Sequence, residues 1–355
     1  MTIDTIINIL IALLVFGLII FFHELGHFLL AKKNGIYVQE FAVGMGPTLF
    51  SFKKAETKYC LKAIPMGGYC MMLGEDEDVE DEHSFSTKSV WQRMAVVIAG
   101  PIFNFILAFV FAIVLMAVYG YDKPVITKFS EVSPAKEAGL QVGDVITSYN
   151  GSTVYNFREI LIYNQFNKDG EQVTLTVDRD GKKFEVTFQP EKTETGYVMG
   201  IDGGTTVKGN VLDTLKNSGY ELRYNIKTTF LSLKYLVTGK LGIKNLSGPV
   251  GIVSMMSDTI DEAKESAGGD ASIAVLNVVL NMINFSVMLS ANLGVMNLLP
   301  FPALDGGRTV LLLVEGIFKK KLSADIEGWI NTIGFFLLIV LMIVVMFQDI
   351  FRIIQ

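Results

Sequence analysis

Long apolar runs alternate with polar segments along this chain, and four of the runs are long enough to cross a lipid bilayer. A membrane-spanning helix needs about 20 predominantly apolar residues. The four runs are approximately Ile6–Ala31, Met94–Val118, Ile273–Leu299 and Trp329–Phe347. The first run has neither the basic start nor the small-residue cleavage site of a signal peptide, so we predict a permanent helix there. The pattern predicts an α-helical membrane protein with four transmembrane helices.

The segment between the first two spans, residues 41–73, shows strand periodicity instead. Leu49–Phe52 and Lys58–Ile64 alternate polar and apolar residues around a turn-like stretch at Lys54–Thr57, which predicts a β-hairpin. One interpretation is a re-entrant, membrane-associated sheet, which is tolerated at membrane depth where protein or water satisfies its backbone. The other is a hairpin that lies wholly in the cytoplasm, and hydropathy does not separate the two.

The central region, residues 122–202, has the pattern of a separate αβ domain. Charged residues return there, and Asp180-Gly181 is a strong hairpin turn signal. The predicted strands are Val125–Lys128, Gln172–Val177 and Phe184–Phe188, and the predicted helix is Phe157–Phe166. About 80 residues are enough for one small domain.

An amphipathic helix is predicted from Val211 to Thr238, either on the outer membrane surface or packed against the central domain. Polar, glycine-containing residues from Asp261 to Ser272 are predicted to form a linker. The chain is thereby divided into a first membrane half (1–121), the central domain (122–202), an amphipathic helix and linker (203–272) and a second membrane half (273–355).

Composition agrees with a membrane protein and indicates its orientation. Half of the 355 residues are hydrophobic, and the mean hydropathy is +0.43. Lys and Arg accumulate between spans one and two, from Lys32 to Arg93, and between spans three and four, from Arg308 to Lys321. Since short cytoplasmic loops are enriched in these residues, we predict that both loops are cytoplasmic and that both termini and the central domain are outside. The net charge of −6, without a basic stripe, argues against nucleic acid as a partner.

The candidate chemistry lies in FFHELGHFLL, from Phe21 to Leu30. His23 and His27 lie about 40° apart on one helix face, and Glu24 projects about 100° round the same helix. This is the H-E-x-x-H pattern of zinc peptidases, in which the glutamate addresses a metal-bound water. The alternative is a set of satisfied core polar groups, but ionisable groups in hydrocarbon are costly and normally mark function. Since a helix climbs about 25 Å between Ile6 and His23, the motif is predicted in the cytoplasmic third of the membrane.

Catalytic zinc usually takes three protein ligands and leaves a fourth position for water. The best candidate for the third is Asp305 in NLLPFPALDGGR, just past span three. Two prolines break helix continuity there, and Gly306 and Gly307 are predicted to permit a tight turn that points the carboxylate back toward the bundle. An aspartate in such a place is also an ordinary cap or turn residue. A downstream glutamate is the alternative third ligand.

Glu24 is the predicted general base, which takes a proton from water and hands it to the leaving amine. Asn292 and Asn297, near the end of span three, are predicted to bind an extended substrate backbone. Strand addition to the hairpin of residues 41–73 is a physical way to hold that backbone extended. Cys60 and Cys70 match neither a zinc pair nor a redox motif.

Five segments together resemble the bacterial site-2 proteases of the RseP/RasP type. They are HELGH, AGPIFN (Ala99–Asn104), SGPVGI (Ser247–Ile252), NLGVMNLLPFPALDGG (Asn292–Gly307) and, resembling the core of a PDZ domain, SPAKEAGLQVGDVITSYNG (Ser133–Gly151). The resemblance covers the whole chain. The chain differs from the larger members of this family in having one PDZ domain rather than two.

The resemblance implies an intramembrane zinc protease of the bacterial cytoplasmic membrane that cleaves single-span membrane proteins, commonly anti-sigma factors, or remnant signal peptides. It implies Zn²⁺ on His23, His27 and Asp305, with Glu24 as base, and it supports Asn292 and Asn297 in substrate contacts. Asn104 matches a family position in the second span, and we expect a supporting role for it. As a separate hypothesis, the extracytoplasmic PDZ domain either binds an exposed peptide terminus of a substrate or obstructs large ectodomains.

Three hypotheses for function remain. The first is the intramembrane zinc endopeptidase of the resemblance. The second is a membrane zinc peptidase whose third ligand is a downstream glutamate. The third is a non-catalytic, PDZ-bearing membrane scaffold in which HELGH is inert.

Overall fold

The computed structural model describes residues 3–75, 77–194, 196–242, 246–320 and 323–354. Lys321, one of the basic residues used for orientation, lies outside them. The helices are α1 (Ile3–Lys33), α2 (Val90–Tyr119), α3 (Pro134–Glu137), α4 (Phe157–Phe166), α5 (Val211–Val237), α6 (Pro249–Glu265), α7 (Ala271–Asn297), α8 (Asp305–Phe318) and α9 (Ala324–Ile354). The strands are β1 (Val38–Lys54), β2 (Thr57–Met72), β3 (Tyr121–Phe129), β4 (Val145–Tyr149), β5 (Ser152–Thr153), β6 (Val173–Arg179), β7 (Lys182–Phe188), β8 (Glu191–Thr193), β9 (Gly196–Val198) and β10 (Ile201–Val207).

Four of these helices are long and apolar enough to cross a membrane, which confirms the prediction of four spans. They are α1, α2, α7 and α9. Contacts divide the chain into two compact units, Met1–Phe111 with Asn225–Gln355 as the first and Ala112–Tyr224 as the second. The first unit therefore holds most of the length of all four spans.

The first unit is held together by an apolar core between its helices. Ile19 of α1, Leu107 of α2 and Met282 of α7 are buried in one cluster together with Met256 and Ile260 of α6. Helix α6 was not anticipated by the prediction of a linker up to Ser272. Its apolar residues recur at helical spacing behind a proline at the first turn, which is a pattern that starts a helix.

The region between the first two spans is a sheet, as the alternating pattern predicted. Residues 48–54 pair with residues 57–62, and residues 38–43 pair both with residues 58–61 and with residues 68–72. The chain reverses at Ala55, whose φ is 52°. The last segment, which ends at Met72, is paired on one side only among the described residues, so it is an edge of the sheet.

Glu40 connects three segments of this sheet. The Tyr69 hydroxyl donates to its carboxylate, and the ammonium groups of Lys58 and Lys62 lie 3.4 and 3.3 Å from it. The hydrogen bond from Tyr69, with smaller contributions from the lysines, lowers the pKa of Glu40 to about 2. Glu40 is therefore ionised at neutral pH, and it fixes residues 58–62 and 69 against β1.

The second unit is an αβ domain built on the sheet β10-β3-β4-β6-β7. Helix α4 covers a core that includes Ile126, Ile146, Ile160 and Leu175. Asp180 and Gly181, with φ of 54° and 80°, form the predicted turn between β6 and β7. The chain enters and leaves the domain at neighbouring positions, because Tyr121 pairs with Val207.

The first part of α5 packs against this domain through two crossed ion pairs. Arg158 of α4 donates to Glu221 of α5, and Arg223 of α5 donates to Glu159 of α4 at 3.0 Å. Glu159 and Glu221 are both buried. The ion pairs at Glu221 and Arg223 therefore attach this part of α5 to α4, whereas Val211, Leu212 and Leu215 nearer its start are exposed.

An aspartate of α9 caps the start of α6. Asp349 is 1% exposed, and its carboxylate accepts from the main-chain N–H groups of Gly248 at 3.1 Å and Gly251 at 2.8 Å. A helix N-terminus carries unpaired N–H groups and a partial positive charge, so a carboxylate there is stabilising. A Cβ on Gly248 or Gly251 would lie 2.8 or 2.7 Å from this carboxylate, which explains the glycines.

We expect Asp349→Ala to lower the unfolding free energy by about 2–6 kcal/mol, since two N–H groups lose their acceptor at about 1–3 kcal/mol each. Thermal unfolding of the purified protein in detergent measures this. Asp258→Ala, on the exposed side of α6, is the control and should change little. Equal melting temperatures for the two variants would contradict the capping role.

Candidate metal centre and active site

Two histidines of α1 and an aspartate of α8 bring three ligand atoms together. The Nε2 atoms of His23 and His27 are 3.2 Å apart, and the Asp305 Oδ2 atom lies 3.2 Å from the first and 3.6 Å from the second. Ligand bonds of 2.0–2.1 Å in a tetrahedral zinc site place ligand atoms about 3.3 Å apart. The triangle therefore has the size that zinc requires. It is the metal-binding group found among the described residues.

The burial of these groups also fits a metal. Both histidines are buried and Asp305 is partly buried. The Asp305 Oδ2 atom has no hydrogen-bond partner among the described residues and faces the two ring nitrogens. Buried charges are normally paired or bind metals. A cation between the three atoms would satisfy all of them at once.

The loop before α8 points Asp305 toward the histidines. Helix α7 ends at Asn297, and α8 begins at Asp305 with Leu304 as its N-cap. The residue with positive φ in this loop is Ala303, at 70°. The prediction that Gly306 and Gly307 form the tight turn was therefore wrong, because both lie in the first turn of α8.

The two glycines are needed for close approach instead. A Cβ on Gly306 would lie 2.2 Å from the Leu299 carbonyl oxygen, and one on Gly307 would lie 2.3 Å from that of Phe301. Because these two positions lack side chains, the first turn of α8 packs directly against the loop that follows α7. This close packing brings Asp305 to the level of the histidines.

The orientation of the His27 ring is held by the backbone of α2. Its Nδ1 lies 2.9 Å from the carbonyl oxygen of Val96. A carbonyl can only accept, so the hydrogen is on Nδ1 and the lone pair is on Nε2. Metal-binding histidines are typically held in this way by a hydrogen bond to their other nitrogen.

Helix α2 leaves space for the site at Gly100. A Cβ there would lie 2.3 Å from His27 Nε2 and 2.7 Å from His23 Cε1. At the neighbouring contact, a Cβ on Gly26 of α1 would lie 2.4 Å from the Ala99 carbonyl oxygen. Small residues allow two spanning helices to approach this closely. The missing side chains at Gly26 and Gly100 therefore let α1 and α2 approach closely and leave space for the two ring nitrogens.

Glu24 lies between the metal ligands on α1 and beside the sheet. As a residue, Glu24 is half-buried. A Cβ on Gly68 would lie 3.4 Å from Glu24 Cγ, so the edge segment of the sheet passes next to this side chain. An extended chain added to that edge would run close to Glu24.

The two asparagines predicted to bind substrate are placed differently. The Asn297 Nδ2 atom lies 3.4 Å from His23 Nε2, at the candidate metal centre. Asn292 is one and a half turns earlier on α7, and its Oδ1 accepts a hydrogen bond from the Thr229 hydroxyl of α5. The structure thus brings Asn297, but not Asn292, into contact with the predicted ligands.

The sequence that forms this site matches a known family of peptidases. The family model of peptidase family M50 matches residues 11–341, which include all the residues of the candidate centre. The chain belongs to peptidase family M50. It is therefore a peptidase, and the four spans make it a multi-pass membrane protein.

Several known proteins are similar to this chain over nearly its whole length. A protein of Clostridium acetobutylicum with a provisional zinc metalloprotease name is 42% identical over 345 residues, 97% of each chain. Zinc metalloprotease RasP of Geobacillus kaustophilus is 31% identical over 98% of this chain and 99% of its own. Regulator of sigma-W protease RasP of Bacillus subtilis is 32% identical over 96% of this chain and 98% of its own.

In this M50 peptidase, Gly100 and Val96 of α2 are parts of the site that the sequence did not reveal. Gly100 provides space and Val96 provides a carbonyl, and neither has a side chain that signals chemistry. The AGPIFN motif marks the right part of α2, but only its contacts with α1 show what it does. Cys60 and Cys70 are both buried and free, so the structure contains no disulfide between them.

We expect Gly100→Ala to abolish stoichiometric zinc binding, because the added methyl group would overlap the His27 Nε2 atom. Gly328→Ala in α9, where a Cβ meets nothing within 4 Å, is the control and should keep its metal. Metal analysis of the two purified proteins measures the difference. A full complement of zinc in Gly100→Ala would show that the site lies elsewhere.

Proposed function

We propose that this chain is an intramembrane zinc endopeptidase in which His23, His27 and Asp305 bind the metal and Glu24 is the general base. The observation that carries the proposal is the triangle of ligand atoms with 3.2–3.6 Å edges. The spanning helix α1 supplies two of these atoms, and the first turn of α8 supplies the third. Zinc is the metal named for the relatives, and its ligand set here is the usual one for a catalytic site.

The residues of the site divide the reaction between them. Bound zinc supplies a more acidic water and a Lewis acid for the scissile carbonyl. Glu24 takes a proton from the attacking water and returns it to the leaving amine. Asn297, whose Nδ2 lies 3.4 Å from His23 Nε2, is placed to donate to a substrate carbonyl or to the developing oxyanion.

The sheet is proposed to hold the substrate. A peptide bond in a helix is shielded by its own hydrogen bonds, so the cleaved segment must be extended. The edge at residues 68–72, which pairs with a strand on one side only in the described part of the chain, offers main-chain partners for an added strand and passes beside Glu24. Asn292, bonded to Thr229, acts at a greater distance along the same substrate.

The proposed substrates are single-span membrane proteins, among them anti-sigma factors and remnant signal peptides. The name of the Bacillus subtilis relative, a regulator of sigma-W protease, supports the first class. The proposed location is the bacterial cytoplasmic membrane, with both termini outside and the site near the cytoplasmic side. Leu49 and Phe50 are 68% and 61% exposed, which supports a membrane-associated sheet.

We further propose that residues 122–202 form an extracytoplasmic PDZ domain. A five-stranded path with an open edge at β10 and α4 lying against the sheet supports this, since PDZ domains bind peptide termini by strand addition. Such a domain either binds an exposed substrate terminus or obstructs large ectodomains.

We expect Glu24→Gln to abolish cleavage of a membrane substrate while zinc content and melting temperature stay unchanged, because the amide cannot accept the proton from water. Mass spectrometry of membrane fragments that accumulate with this variant, compared with the active protein, also identifies substrates. Undiminished cleavage by Glu24→Gln would refute the proposal.

Asp305→Ala separates the two metal-site hypotheses. On the proposed ligand set it loses both zinc and activity, since two histidines alone hold zinc weakly. Retention of both would favour a downstream glutamate as third ligand. Membership of a peptidase family argues against the scaffold hypothesis, which predicts a protein without stoichiometric zinc.

Replacing residues 122–206 by a short Gly/Ser linker tests the PDZ proposal. The replaced segment begins and ends at paired residues, since Asp122 lies opposite Thr206, so a short linker joins its flanks. We expect the variant to cleave substrates with larger ectodomains, or to cleave the normal substrate more slowly. Cleavage assays on substrates of graded ectodomain size measure both effects, and no change in either would contradict both roles.

A further inference from the structure

Asn104 of α2 contacts the His23 ring at Nδ1, the nitrogen that does not face the other two candidate ligands. It is 0% exposed, and its Nδ2 lies 3.1 Å from His23 Nδ1. Its main-chain carbonyl accepts from the Ser290 hydroxyl of α7 at 2.8 Å. Its Oδ1 atom has no hydrogen-bond partner among the described residues. The bond from Ser290 therefore holds the main chain of Asn104 against α7, and the buried side-chain amide lies against the ring of a candidate ligand.

The hydrogen on the His23 ring decides which amide atom faces it. His23 Nε2 points toward Asp305 Oδ2, His27 Nε2 and the Asn297 amide. To bind a metal, this nitrogen must have a free lone pair, so the ring hydrogen must be on Nδ1. Nδ1–H needs an acceptor, and an amide nitrogen is not one.

The two ends of an amide group are similar in shape, and the surrounding hydrogen bonds decide between them. In the recorded orientation the Oδ1 atom of Asn104 has no partner among the described residues, so the amide's own hydrogen bonds give no reason to prefer that orientation. The ring favours the orientation with Oδ1 toward it, because only Oδ1 can accept from Nδ1–H. His27 is held in the same way by the Val96 carbonyl, also from α2.

We propose that Asn104 is a positioning residue whose Oδ1 accepts from His23 Nδ1–H and thereby keeps Nε2 free for zinc. The inference rests on the proposed zinc site and adds the residue that selects the tautomer of its first ligand. Helix α2 then orients both ligand rings, one through a main-chain carbonyl and one through a side-chain carbonyl. Loss of such a partner typically weakens metal binding by about 10–100-fold.

The test uses the full-length protein in detergent and measures its zinc dissociation constant by competition with a chelator. Asn104→Leu keeps the size of the side chain and removes the acceptor, and we expect zinc to bind about 10–100-fold more weakly. Asn104→Asp keeps an acceptor and loses the donor, and we expect binding as tight as in the unaltered protein or tighter.

The matched control is Asn8→Leu. Asn8 is also a buried asparagine of a spanning helix, but it donates to Ser257 and Asp261 of α6. We expect this variant to lose stability without a change in zinc affinity. A melting temperature measured without zinc for all three variants separates damage to the fold from damage to the site.

The tautomer can also be observed directly. The chain has three histidines, so ¹⁵N-histidine labelling gives few resonances. In the zinc-loaded protein we expect both ligand rings to show a protonated Nδ1, and Asn104→Leu should lose or broaden the signal from His23.

The outcomes are distinct. Weak zinc binding by the unaltered protein, or affinity that does not depend on His23, would overturn the proposed function itself. Normal zinc affinity in Asn104→Leu would overturn only the role of Asn104. Equal weakening in Asn104→Asp and Asn104→Leu would show that the amide acts as a donor, which also overturns the inference.

Discussion

Ionisable side chains in a membrane-spanning helix are costly unless they have partners, and α1 has three of them within five residues. Their partners must come from other helices at very short range, because water does not supply them in hydrocarbon. The structure meets this constraint with glycines, which have no side chains, where helices touch. Gly26 and Gly100 bring α1 and α2 together, and Gly306 and Gly307 bring α8 onto the end of α7. The candidate centre occupies the space that these glycines leave.

The same constraint explains where irregular backbone occurs in the membrane unit. The loop from Leu298 to Leu304 and the edge of the sheet at Gly68 both lie at the candidate centre. Non-helical backbone is tolerated at membrane depth where protein or a water-filled cavity satisfies it. On the proposed function, the hydrolytic site needs water, and an extended substrate needs free main-chain partners. Hydrolysis and substrate binding would therefore both require a local departure from helical structure.

The sequence was sufficient to predict those features that depend on spacing within one segment. The spans follow from run length, the pairing of His23 with His27 follows from helix geometry, and the turn at Asp180-Gly181 follows from residue preference. Asp305 was predicted from the need for a third ligand rather than from its own context. The features that were missed or misplaced depend on which segments approach one another. The turn at Ala303, the cap that Asp349 provides for α6, and the bond between Asn292 and Thr229 are of this kind.

Assembly of the centre requires the two membrane halves of the chain to come together. Helices α1 and α2 already hold both histidines, Glu24 and the groups that orient the rings, but they contain no third ligand. Asp305 joins them only when α7 has packed against α1 and α6 and the loop at Ala303 has formed. On the proposed function, metal binding is therefore coupled to the last stage of folding, as it is in sites whose ligands are distant in sequence. A partly assembled chain then holds a base and two ligands without the metal that makes them hydrolytic, so peptidase activity appears only in the completed bundle.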